Sequence, residues 1–215
     1  MVQADLTVAC VLWQGDFRKR AYSPEWVVKL ASMCKKQLPP HNFVCLSNVE
    51  VPTHRIPLLT SWQGWWAKLE LFRPNNGLSG RVLYLDLDVL LVKDCSDLVV
   101  DVTTFMPPSF TFGPGSPSSS FAYSNRYQSS CFCFEAGSLD HLYEEFSLGH
   151  MNKFRGDQDY IGWREPDFPT YPSKWFSKLR NCQEGPEADV KLVLSMPWKN
   201  DIAVEKFPWV REIWK

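Results

Sequence analysis

The chain lacks a surplus of either charge: 23 Lys and Arg stand against 24 Asp and Glu in 215 residues, for a formal net charge of −1. Such a balance offers no basic footprint for nucleic acid or an anionic membrane. It also lacks long apolar runs. In "MVQADLTVACVLWQGD" no basic region precedes the apolar positions and Asp5 interrupts them, so no secretory signal is expected. No uninterrupted apolar stretch approaches the length that spans a bilayer. The cysteines lack the spacing of a metal site. Seven of them lie scattered at 10, 34, 45, 95, 131, 133 and 182, and Cys131 and Cys133 have no second Cys or His pair nearby. Reduced core thiols in a cytoplasmic protein are the expectation. Internal repeats are missing as well.

What is present is the composition of an ordinary globular protein, 45% hydrophobic and 22% charged, in a length that suits one large domain. Aromatic residues are abundant, with ten Trp, seven Tyr and fourteen Phe. Most belong to a core, but a surplus of Trp also serves sugar or base stacking.

The pattern along the chain alternates strand and helix. "LTVACVLW" (6–13) is a short β-branched apolar run ended by Gly15, which reads as a buried strand. "SPEWVVKLASMCKKQL" (23–38) is a helix with Ser23 as N-cap, Pro24 in its first turn, apolar residues at helical spacing and Pro39-Pro40 as its stop. "NFVCLSN" (42–48) is the next strand. Strand, helix, strand predicts a parallel α/β sheet. "WQGWWAKLELFRP" reads as helical from Trp65, and "RVLYLDLDVLLV" (81–92) as one central strand. Residues 106–120, rich in Pro, Ser and Gly, form a long loop. Further strands are expected at 129–137 and 190–198, and helices at 138–146 (capped by Ser138), 156–163 and 207–214.

Asp86 and Asp88 interrupt the most apolar of these segments. Ligands of open α/β sheets bind beyond the carboxyl ends of parallel strands. Residues two apart on a regular strand point the same way, so both carboxylates could meet one ligand. Two anions there repel and lose hydration, and a divalent cation relieves both penalties. Oxygen ligands select hard ions such as Mg²⁺ or Mn²⁺. The plainer alternative is a D-x-D that caps a turn or pairs with Lys93 or Arg81.

The string "GWWAKLELFRP…GRVLYLDLDVLLVKDCSDL" resembles GT-A-fold glycosyltransferases, in particular the glycogenin-like and galactosyltransferase-like branch with its small bacterial and viral relatives. "AYSPEWVVKL" is similar to the helix after that family's nucleotide-binding loop. "YQSSCFCFEAG" resembles its "NSGvmvf..g" strand, "GDQDYI" its "DQD" segment, and "VLSMP…PWV.EIW" its closing "HG.PKP…PWV…W". The implied architecture is a single GT-A domain over 1–215, with a mostly parallel central sheet flanked by helices. Residues 1–100 would form the nucleotide-binding half and 101–215 the acceptor-side half. The implied activity is metal-dependent transfer of a hexose, with retention, from a nucleotide-sugar (UDP-linked) to an unknown saccharide, protein or other acceptor.

The resemblance also implies roles. Asp86 would contact the ribose and, with Asp88, hold Mn²⁺ or Mg²⁺ under the diphosphate. Trp13 and Tyr22 would contact the nucleotide-sugar, and Lys68 matches a basic residue near the donor. Gln128, Ser129 and Ser130 occupy the sugar-binding strand start, where Gln replaces the family's Asn. Asp157, Gln158 and Asp159 match the "DQD" beside the reacting carbon; the competing reading makes them acids that favour a helix dipole. Lys199 would serve the phosphates. The family's metal-binding His is missing, since Leu194 or Ser195 stands in its place, depending on a one-residue shift.

Trp62 and Trp66 share a helical face, and the cluster Trp62, Trp65 and Trp66 is expected in the core. Trp175 and Trp198 are candidates for acceptor stacking, and no chemistry is assigned to His41, His54, His141 or His150. Two rival functions stand. A haloacid-dehalogenase-type phosphatase would use Asp86 as nucleophile and Asp88 as acid/base, but its D-x-D ends the first strand, whereas about 80 residues precede this one. The other is an inactive GT-A domain that binds carbohydrate or nucleotide.

Overall fold

The computed structural model describes residues 6–17, 22–108, 126–195 and 200–215. Strand β1 (Leu6–Leu12) leads to helix α1 (Pro24–Gln37), then β2 (Asn42–Ser47) and β3 (His54–Pro57). A 3₁₀ segment (Gly64–Phe72) precedes β4 (Arg81–Leu85), β5 (Val89–Leu91) and β6 (Thr104–Met106). Next come β7 (Gln128–Glu135) and the short helices α2 (Asp140–Glu144), α3 (Leu148–Lys153) and α4 (Asp157–Arg164). The chain closes with β8 (Phe176–Lys178), β9 (Leu192–Leu194), α5 (Asn200–Lys206) and α6 (Pro208–Ile213). No helix among the described residues is long and apolar enough to cross a membrane.

Six strands form the main sheet in the order β3-β2-β1-β4-β7-β6. The first three pairings, β3 with β2, β2 with β1 and β1 with β4, are parallel; β4 with β7 and β7 with β6 are antiparallel. Alternation along each strand divides the core between the two faces. Val8, Cys10, Leu83, Leu85, Cys131 and Cys133 pack with Trp26, Leu30 and Cys34 of α1. Ala9, Val82, Tyr84, Phe132 and Phe134 pack on the other face with Trp66, Leu69 and Phe72. All seven cysteines are free and buried, as the scattered spacing implied.

Three expectations need correction. The apolar run 81–92 is two strands rather than one: β4 ends at Leu85, Leu87 and Asp88 form a turn, and β5 joins a separate sheet in the order β5-β9-β8. Both halves are equally apolar because each is buried in its own sheet. The segment at 64–72 winds as 3₁₀ rather than α. With three residues per turn, Trp65 and Lys68 share one line and Trp66, Leu69 and Phe72 another. Finally, Ser138 is not the cap of α2. Leu139 occupies that place, and the Ser138 hydroxyl donates instead to the Glu135 carbonyl at 2.7 Å.

Candidate active site

The carboxyl ends of β1 and β4, which run parallel, open into a cleft of about 440 Å³, within the size range of small-molecule sites. One wall comes from the end of β4 and the following turn (Tyr84, Asp86, Leu87 and Asp88) and a second from the start of β7 (Gln128, Ser129 and Ser130). The third is the segment Arg155–Asp159 at the start of α4, and an aromatic rim of Trp13, Phe17, Tyr22 and Trp65 completes the cleft. The sequence-predicted residues Trp13, Tyr22, Lys68, Asp86, Asp88, Gln128, Ser129, Asp157, Gln158 and Asp159 thus meet in one place, although they come from five separate segments. Lys199 and Trp198 lie outside the described residues.

Lys68 is the centre of the arrangement. Its ammonium lies 3.0 Å from Asp86 Oδ1 and 3.1 Å from Asp157 Oδ2. It also donates to the Ser129 carbonyl and hydroxyl, each at 3.0 Å. Burial alone would pull the lysine's pKa down. The carboxylates of Asp157 and Asp86 outweigh it and hold the group above its ordinary value, so the ammonium stays charged. Burial raises the Asp157 carboxyl, against the opposing pull of Lys68 and of the Ser129 hydroxyl, which donates to it at 2.6 Å.

Each aspartate of the D-x-D is held by a tyrosine. Tyr84 donates its hydroxyl to Asp86 Oδ1 at 2.6 Å, and Tyr22 donates to Asp88 Oδ2 at 2.8 Å. Burial, with Asp86 adding to it, lifts the Tyr84 pKa well above the usual phenol range. Asp86 and Asp88 do not sit side by side on a strand as the spacing predicted; the turn after β4 carries them round the bend.

At α4, Asp159 receives the Arg155 guanidinium at 3.0 Å through Oδ2. Its Oδ1 is buried and has no hydrogen-bond partner among the described residues. Gln128 Nε2 donates to Ser130 Oγ at 3.1 Å.

The register at the far side distinguishes Leu194 from Ser195. Val89 pairs with Leu194 in the antiparallel β5–β9 ladder, and Ser195 N donates to the Asp88 carbonyl at 3.4 Å. Ser195 is therefore the cross-strand neighbour of Asp88 and shares its face, while Leu194 belongs to the core. The Ser195 hydroxyl is buried and has no hydrogen-bond partner among the described residues.

Among the described residues no group of three or more His, Cys, Asp or Glu is arranged to hold a metal ion. A cation held by two carboxylates still fits. The cleft is lined by Asp86, Asp88, Asp157 and Asp159 against Lys68 and Arg155, four acids less two bases, a net charge of −2. A diphosphate would be repelled from that site without an added cation. Hard oxygens from one or two carboxylates, completed by phosphate and water, form a set that Mg²⁺ accepts.

Several lining residues escaped the sequence reading. Trp65 packs against the core, as expected, and in addition lines the cleft, with its ring against Gly156, where an added Cβ would sit 3.1 Å from Trp65 Nε1. The spacing of three from Lys68 was the available signal. Phe17, Tyr84 and Arg155 carried none. Phe17 packs edge-on against Trp65 at 4.8 Å and covers Gly64. Trp62 and Trp66 do pack in the core, both against Phe146. Trp175 does not line the cleft; it packs near Tyr171 with the Lys191 ammonium 5.1 Å from its ring. His141 pairs with Glu165 at 2.7 Å, away from the cleft.

The sequence matches no protein-family model and no curated protein. Solved structures do match. The apo-form glycosyltransferase GlyE of Streptococcus pneumoniae TIGR4 superimposes with a TM-score of 0.59 at 14% identity, over 88% of this chain and 54% of that one. The galactosyltransferase LgtC, crystallised with donor and acceptor sugar analogues, gives a TM-score of 0.59 at 11% identity, over 96% of this chain and 94% of the other. The chain therefore spans about half the length of GlyE. At these identities what is shared is the fold.

Proposed function

We propose a function that rests on the GT-A-type fold shared with these glycosyltransferases, an α/β domain with a mostly parallel central sheet flanked by helices. That function is glycosyl transfer, moving a hexose, with retention, from a nucleotide-sugar, UDP-linked, to an acceptor. The observation that carries this reading is the Lys68 ammonium joining Asp86 at the D-x-D to Asp157 at the D-Q-D in one cleft at the carboxyl ends of parallel strands. Residues 1–100 would supply the nucleotide side and residues 101–215 the acceptor side.

In this reading Asp86 and Asp88 hold Mg²⁺ or Mn²⁺. When bound, the cation supplies positive charge against the leaving diphosphate. Lys68 fixes the positions of both carboxylates and keeps the Asp157 end of α4 in place. Gln158 and Asp159 orient sugar hydroxyls, and the aromatic rim, Trp13 foremost, packs on the base or the sugar and excludes water. Ser129 and Gln128 line the sugar side, and Lys199 would reach the phosphates.

The phosphatase alternative is disfavoured by topology, because its D-x-D would end the first strand of the sheet, whereas Asp86 follows β4, the fourth strand in chain order. The test is a panel of nucleotide-sugars in a thermal-shift assay with and without Mn²⁺, followed by mass spectrometry of donor turnover. Stabilisation by one donor, with Mn²⁺-dependent release of the nucleoside diphosphate, is expected. Binding without any turnover would leave a nucleotide-binding module in place of an enzyme.

A further inference from the structure

Tyr22 was expected to touch the nucleotide. Its hydroxyl is committed elsewhere, as the donor to Asp88 Oδ2 at 2.8 Å. The residue is held from behind in two ways. Gln14 Nε2 donates to the Tyr22 carbonyl at 2.8 Å, and Gln14 is itself tied to Asn48 by bonds of 2.8 and 2.7 Å. The Tyr22 ring packs edge-on against Trp26 at 5.0 Å, and Trp26 packs against Trp214 at 5.2 Å. Both indoles are buried, at 4% and 3% exposure. The hydroxyl that meets Asp88 therefore sits on a ring anchored by α1 and the C-terminal helix rather than on a free loop.

Asp88 itself stands in the turn after β4, and its main chain is tied to Ser195. The bond from Tyr22 is made to the side chain, at one carboxylate oxygen. Asp86 offers a contrast: its tyrosine, Tyr84, is 1% exposed within the sheet and also serves the core. Tyr22 is only partly buried, so its hydroxyl can be removed while the ring stays against Trp26.

We propose that Tyr22 is a positioning residue of the cation site, holding the Asp88 carboxylate in the orientation in which it ligates, through an anchor that runs by way of Trp26 to Trp214. This rests on the reading of Asp86 and Asp88 as cation ligands. Partners that orient a metal-binding carboxylate typically contribute about 10- to 100-fold in metal affinity.

The experiment measures Mn²⁺ affinity by water-proton relaxation in the presence of UDP, for the wild type, Tyr22→Phe, Asp88→Ala and the double variant. A melting curve is recorded for each. Tyr22→Phe should weaken Mn²⁺ by about 10- to 100-fold with an unchanged melting temperature. In the Asp88→Ala background it should have no further effect, because the two residues act through one bond. Wild-type affinity in Tyr22→Phe, with affinity lost in Asp88→Ala, would overturn the role of Tyr22 and leave the cation reading standing. Wild-type affinity in Asp88→Ala would overturn the cation reading and this inference together. An equal further loss from Tyr22→Phe in the double variant would show that Tyr22 acts on the metal by another route, which also overturns it.

Discussion

The Lys68 ammonium lies 3.1 Å from Asp157 Oδ2, and the two side chains are only 7% and 6% exposed. Breaking a buried pair by removing one partner leaves an uncompensated charge, which typically costs about 3–5 kcal/mol. Lys68→Met should therefore destabilise the protein by about 3 kcal/mol, since Asp157 loses its counter-charge in a site with little water. Adding Asp157→Leu to Lys68→Met should recover part of that loss. Denaturant titrations of the three variants check this, and a loss below about 1 kcal/mol for Lys68→Met, the range of an exposed pair, would contradict the assignment of a buried one.

The same pair has a pH signature. The folded-state pKa of Lys68 is raised above its ordinary 10.5. A raised lysine binds its proton more tightly when folded, so its contribution is fully present below the unfolded value and is lost as pH rises through the folded one. The stability gap between wild type and Lys68→Met should hold level from neutral pH to about 10 and shrink above about 10.5. A gap that already narrows between pH 7 and 9 would mean that the ammonium is easily deprotonated and weakly paired.

Asp159→Asn tests the D-Q-D without removing volume. The change keeps the shape but replaces an acceptor beside the buried, unpartnered Oδ1 position with an amide. If sugar hydroxyls donate there, turnover of the donor should fall by about 10- to 100-fold, while affinity for UDP, which has no sugar, stays as in the wild type. Gln158→Ala should behave alike. Parallel losses in turnover and UDP binding would place the phosphates at this segment instead.

Gly64 is the residue that admits the rim. Its φ is +59°, and an added Cβ would lie 2.2 Å from the Phe17 ring. Gly64→Ala therefore combines an unfavourable backbone region with a clash, and a loss of about 1–3 kcal/mol is expected. Phe17 contacts Trp65 edge-on, so the displaced ring should also change tryptophan emission. Unchanged emission and stability would show that the loop bearing Phe17 yields at no cost.

Much of this was legible in the residues, and the reasons for the rest are physical. β1, α1, β2 and β7 announce themselves because each buries a periodic or β-branched stretch that local propensity also favours. The residues that meet in the cleft were singled out through the resemblance, which the D-x-D and D-Q-D made recognisable. The break between β4 and β5 was hidden, since both strands are apolar throughout and only the pairing partners, β7 for one and β9 for the other, distinguish them. β3, β6 and β8 are three or four residues long and show no period at all. Phe17 and Arg155 belong to the cleft through tertiary placement, which no local spacing encodes.

The register across β5 and β9 yields a last, two-sided prediction. Ser195 stands opposite Asp88 across the ladder and Leu194 opposite Val89, so of the two positions Ser195 is the nearer in register to the D-x-D. A hydroxyl is a poor ligand beside carboxylates, so the wild type should bind Mn²⁺ negligibly without nucleotide and clearly with UDP, whose phosphate oxygens complete the shell. Ser195→His should tighten Mn²⁺ by about tenfold, roughly 1.4 kcal/mol, and reduce its dependence on UDP. Leu194→His should do neither. Its imidazole would enter the core cluster. Because Ser195 is 0% and Leu194 4% exposed, either substitution should destabilise the fold by about 1–3 kcal/mol, and only the metal effect should separate them. Paramagnetic relaxation with and without UDP, alongside melting curves, reads both effects. Tighter metal binding by Leu194→His than by Ser195→His would overturn the register argument, and tight binding by the nucleotide-free wild type would reveal another protein ligand.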